Sequence, residues 1–221
     1  MMDSLRPARR PDARRLALAC ATLVILAACS GAEGPRPPSA DTGADVAAAP
    51  EAPTTAQVPT VQQLVDSSLR DFRRGLPEVD ALEGGESGRD ALVRRFVNAV
   101  TARDTTTLRR MLITRAEYAW LYFPDARLAR PPYGIDPAFL WMQVGSNTDR
   151  DLPKAFAAVG PGASYAGVSC PDSTLREGPN RIHERCLAVV ARGARRDTLS
   201  LFGTILERNG RFKFLSYANR L

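Results

Sequence analysis

The feature that most constrains this chain is a change of period near residue 160. Upstream, apolar side chains recur at helical spacing: Val61, Leu64, Val65, Leu69 and Phe72, then Leu92, Val93, Phe96, Val97 and Val100. Downstream they alternate every second residue, as in half-buried strands, over Ser164–Cys170, Ile182–Arg192, Asp197–Glu207 and Arg211–Ala218. Asn209-Gly210 lies between the last two, and this pair accepts the positive φ angles of a tight hairpin turn. The pattern predicts an α+β domain in which N-terminal helices pack on an antiparallel sheet of four or more strands, ordered as a meander.

Smaller signals place the helix ends. Gly75 and Pro77 stop the first helix, and Asp104 or one of Thr105 to Thr107 can cap a short third one. Asp136-Pro137 reads as N-cap and first-turn proline of another, carrying Phe139 and Leu140, and a further turn or two with Leu152, Phe156 and Val159 ends at Gly160. Residues 114–123 stay open between strand and helix, because Tyr118, Trp120 and Tyr122 alternate with Ala119, Leu121 and Phe123.

Only part of the 221 residues can build this domain. Residues 30–60 hold Pro, Ala, Gly, Ser and Thr with almost no large apolar side chain, too little to offset ordering entropy. Residues 29–60 therefore read as a tether and 61–221 as a single domain. Ahead of them, Arg6, Arg9, Arg10, Arg14 and Arg15 precede an uncharged apolar run from Leu16 to Ala28. Such a run has signal-peptide length and is short for a helix crossing about 30 Å of hydrocarbon.

That run ends in Leu26-Ala27-Ala28-Cys29, which resembles the lipobox of bacterial lipoproteins. The resemblance implies a diacylglycerol thioether on Cys29, removal of residues 1–28, and acylation of the new amino group. It also implies a membrane address, with the outer membrane favoured because Ser30 replaces the Asp that retains enteric lipoproteins in the inner membrane. Several acyl chains on one residue anchor stably, where a single chain does not.

The net charge of +6 does not indicate nucleic acid. Its arginines are dispersed, and short pairs such as Arg94-Arg95 read as solvated faces. Cys170 and Cys186 flank a polar loop centred on Gly178, so a hairpin there sets them face to face, and outside the cytoplasm they should form a disulfide. His183, the single histidine, reads as a surface residue on the opposite strand face from Cys186. No metal site, cofactor motif or catalytic signature is recognisable.

Two segments resemble the nuclear-transport-factor-2-like superfamily. Phe96 to Asp104 with Leu108 and Leu112 is similar to its first two helices and the turn between them, and Leu206 to Phe214 to its last hairpin. The extra helices around residues 61–74 and 136–159 depart from that pattern. The resemblance implies a cone-shaped fold with a pocket, for which Tyr118, Trp120, Tyr122 and Trp141 are the candidate lining. In enzymes of that superfamily an Asp and a Tyr act as an acid–base pair, and Tyr118, Tyr122, Asp125, Tyr133 and Asp136 could in principle supply one; core roles for the aromatic stripe, a turn for Asp125 and a helix cap for Asp136 account for them better. The expectation is a membrane-held, non-catalytic module for a small molecule or an envelope protein. A small isomerase- or cyclase-like enzyme and an envelope assembly component are the alternatives.

Overall fold

The computed structural model describes residues 58–221; Cys29, the apolar run and most of the expected tether lie outside them. Helix α1 (Val61–Arg73) starts at a capping box, in which Thr60 Oγ1 accepts from the Gln63 amide and the Gln63 side chain accepts from the Thr60 amide. It buries Val65, Leu69 and Phe72. Helix α2 (Arg89–Thr101) buries Leu92, Val93, Phe96 and Val97 among others. Asp104 caps α3 (Thr105–Arg110) by accepting from the Thr107 amide, as one of the expected caps.

The ambiguous stretch 114–123 is helical. A second capping box, Thr114 with Glu117, opens the short α4 (Arg115–Glu117), which runs directly into a π-helical turn over Tyr118–Tyr122. The wider turn lets Tyr118, Ala119 and Leu121 all be buried, a set that strand alternation would have split between two faces. Helix α5 (Pro137–Val159) is one continuous element where the sequence suggested two pieces. It passes through Pro153, which donates no bond to the carbonyl four residues back.

Among the described residues, seven strands form two open antiparallel sheets of three and four strands, in place of a single meander. They are β1 (Ser164–Ser169), β2 (Leu175–Glu177), β3 (Asn180–His183), β4 (Leu187–Arg192), β5 (Arg195–Leu199), β6 (Ile205–Arg208) and β7 (Arg211–Phe214). One sheet has the order β1-β4-β5 and the other β2-β3-β6-β7. Two of the long strands expected from alternation are each broken in two: Ile182–Arg192 falls on β3 and β4, and Asp197–Glu207 on β5 and β6. Arg185, at φ 58°, interrupts the first, and residues 200–204, which pair with no strand, interrupt the second. Asn209 and Gly210, at φ 50° and 70°, make the expected turn between β6 and β7.

The part of the four-stranded sheet formed by β3, β6 and β7 is covered on both faces, which explains its burial pattern, while the edge strand β2 is largely exposed. Ile205, Phe212 and Phe214 join a core with α2, β4, Val159 and Tyr217, where the Phe96 ring sits 5.1–5.5 Å from those of Phe202, Phe214 and Tyr217. Ile182 and Leu206 join a second core with Val65, Leu69, Phe72 and the aromatic turn. Lys213 is paired with Leu206 across the ladder and is 2% exposed.

Candidate functional site

Two concavities stand out, and they differ in chemistry. The first is a groove of about 340 Å³ between α3, α4, α5 and the chain after β7. Tyr217 builds its floor: its hydroxyl donates to the Leu108 carbonyl at 2.6 Å and its amide to Thr148 Oγ1 at 3.2 Å. Ile113 donates to the Phe214 carbonyl at 2.9 Å, which fixes the segment linking α3 to α4 along β7. The lining is apolar at Leu112, Trp141, Val144, Leu152 and Leu215, with Arg109, Arg115 and Asp149 as its charged groups. Apolar walls with a few polar groups are the ordinary make-up of a small-molecule pocket, and the volume is near the lower end of the usual ~300–1,000 Å³.

The second is a polar, more open cleft of about 810 Å³ where the first turn of α2 faces β1, β3 and β6. His183 Nε2 lies 2.7 Å from Glu207 Oε2, and the guanidinium of Arg89 lies 3.5 Å from His183 Nδ1. Because arginine can only donate, these contacts fit the tautomer with its proton on Nε2, given to Glu207. Arg181 lies 3.6 Å from Glu207 on the other side. Asp90, which also lines the cleft, accepts from the Tyr165 hydroxyl at 2.5 Å. The bonds from Tyr165 and Arg94 hold the Asp90 carboxyl below the usual range, and burial with the Asp90 contact pushes the Tyr165 hydroxyl up.

The lone-surface reading of His183 is corrected by this geometry. The residue is 7% exposed, because α2 and Phe212 cover the strand face that alternation alone leaves to solvent. Its hydrogen-bond partners are the Arg89 guanidinium and the Glu207 carboxylate.

Three of the four candidate pocket aromatics come together, though as packing. Tyr118 is fully buried, with Trp141 at 5.1 Å and Tyr122 at 5.7 Å between ring centroids, and its hydroxyl donates to the Pro137 carbonyl. Burial raises the hydroxyl pKa of both Tyr118 and Tyr122. Trp120 points elsewhere, under the Arg73 guanidinium at 3.9 Å. Of the four, only Trp141 lines the groove. Asp136 caps α5 and Asp125 meets Arg130, so neither joins a buried tyrosine as an acid–base pair.

Cys170 and Cys186 lie at disulfide-bonding distance with Cα atoms 4.1 Å apart. They sit one position beyond the Ser169–Leu187 pair of the β1–β4 ladder. Arg89, Asp90 and Glu207 carry no sequence signature that separates them from ordinary surface charges. Among the described residues no three His, Cys, Asp or Glu gather as metal ligands, and no helix is long and apolar enough to cross a membrane. No protein family, no curated protein and no solved structure matches the chain.

Proposed function

We propose that this chain is a bacterial lipoprotein precursor, lipidated on Cys29 and held at the cell envelope, whose folded domain is a non-catalytic binding module for a small molecule or an envelope protein. The observation that carries the address is Leu26-Ala27-Ala28-Cys29 at the end of a signal-length apolar run. A cysteine pair at disulfide distance is consistent with an oxidising compartment such as the periplasm or cell exterior. The nuclear-transport-factor-2-like reading is supported by α2 and α3 packed ahead of antiparallel strands that end in the β6–β7 hairpin.

A second reading, a small enzyme using an Asp/Tyr pair, is favoured by the Asp90–Tyr165 contact, of which Asp90 lines the same cleft as His183. The electrostatics weigh against it. Proton transfer at neutral pH is served best by groups that titrate near the working pH, and these two are shifted away from it in opposite directions.

The address is tested by expressing the chain and its Cys29→Ser variant in a bacterial host fed radiolabelled palmitate. Label and membrane fractionation should follow the parent and be lost in the variant. A labelled, membrane-bound variant would sink the reading.

A further inference from the structure

We propose that the groove between α3 and α5 is the ligand seat of this domain, and that it takes a small amphipathic anion: an apolar chain carrying a carboxylate or comparable head. The inference rests on reading the domain as a binding module and names the site and ligand class that reading leaves open.

Gly145 carries the first part of the argument. It lies inside the 23-residue α5, where glycine is less favourable than alanine in a helix. Neither usual structural reason for it applies. Its φ is not positive, and a Cβ built there meets no heavy atom within 4 Å. The missing side chain leaves open the wall of the groove between Trp141 and Thr148, one helical turn away on either side. Around that opening Leu112, Trp141, Val144, Leu152 and Leu215 all retain some exposure, a concave apolar surface suited to an apolar chain.

The charged groups of the groove choose the sign of the head. Arg109 and Arg115 both line it, and neither has a carboxylate partner among the described residues; Arg115 instead lies over the Phe72 ring at 4.5 Å. Asp149 is the one acidic group of the lining. Two guanidinium groups against one carboxylate favour an anion, and guanidinium matches a carboxylate head in both charge and planar geometry.

The test uses the chain from residue 29 onward with Cys29→Ser, so that no acyl group of its own competes. Dodecanoate and dodecyltrimethylammonium are titrated below their micellar concentrations, read by calorimetry and by tryptophan fluorescence. Dodecanoate should bind saturably, and the cationic probe about tenfold more weakly or worse, as expected for reversing one charge contact. Gly145→Phe should weaken dodecanoate by about tenfold or more, equivalent to denying burial to two methylene groups. Its melting temperature should hold or rise. Arg109→Glu should weaken dodecanoate while leaving dodecanol binding in place. Absent binding of dodecanoate, or tighter binding of the cation, would overturn the ligand class. Dodecanoate binding unaffected by Gly145→Phe would overturn the seat while leaving a binding module, and none of these outcomes bears on the palmitate label at Cys29.

Discussion

Lys213 Nζ sits 2.8 Å from Glu117 Oε1 and 2.9 Å from Oε2, although 96 residues separate the two and both side chains are at most 3% exposed. Glu117 also accepts from the Glu83 amide at 2.8 Å and the Thr114 amide at 2.7 Å. One carboxylate thus ties the loop before α2, the start of α4 and strand β7 together. Breaking such a pair leaves an uncompensated buried charge, typically at a cost of about 3–5 kcal/mol.

Lys213→Met should therefore lower unfolding free energy in urea by about that amount. Replacing both residues with Met should not restore the parent value, because the Glu83 and Thr114 amides are then orphaned at about 1–3 kcal/mol each. Full recovery in the double variant would show that the amides find other acceptors.

How far this arrangement could be read in advance depends on the residue. Alternation places Phe212 and Phe214 together and Lys213 on the other face, and the structure agrees. What alternation cannot supply is that the other face is covered, since the covering layer is built some 90 residues earlier by a stretch whose period fits either strand or helix. The same blindness affected His183, whose burial is imposed by α2 and Phe212. Local signals fared better: the Asp104 and Asp136 caps, the Asn209-Gly210 turn and the approach of Cys170 to Cys186 all act over a few residues or one hairpin. The groove was legible only through Trp141, because its walls come from α3, α5 and the chain terminus, which no short window of sequence joins.

Reduction should release two thiols, from Cys170 and Cys186, that are unreactive in the folded oxidised protein. With a sequence separation of 16, losing the link should lower stability by roughly 3 kcal/mol on chain-entropy grounds. Peptide mapping with an alkylating agent, before and after reduction, checks the first statement, and urea melts check the second. Alkylation of either residue without reductant would refute the pairing.

Asp151 gives a pH prediction with a definite sign. Its side chain is fully buried, and hydrogen bonds from Arg150, then Lys154 and the Asn219 amide, hold its carboxyl well below the ordinary carboxylate range. A depressed folded-state value means the unfolded chain takes up the proton first. Its contribution is complete above the unfolded value of about 4 and is lost as pH falls below that. Asp151→Asn should therefore lower the melting temperature at pH 7 and narrow the gap to the parent by pH 3. A gap that widens toward acid would contradict the sign.

The domain boundary is testable by length. Deleting residues 40–57 should leave the melting temperature unchanged, whereas Thr60→Ala, which removes the α1 cap, should cost about 1 kcal/mol. A deletion that lowers melting by many degrees would mean the upstream segment packs on the domain.

The cap at Thr60 is also the point where any pull along the chain from its N-terminal side is delivered. Helix α1 is attached through Val65, Leu69 and Phe72 and through Arg73 donating to the Ala119 carbonyl, and no ladder of strand bonds lies in the line of load. Tension would peel this helix a turn at a time and reach the β1–β4 pair only after α1 has let go. A protein tugged at that end would lengthen by one helix before its sheets bear any force.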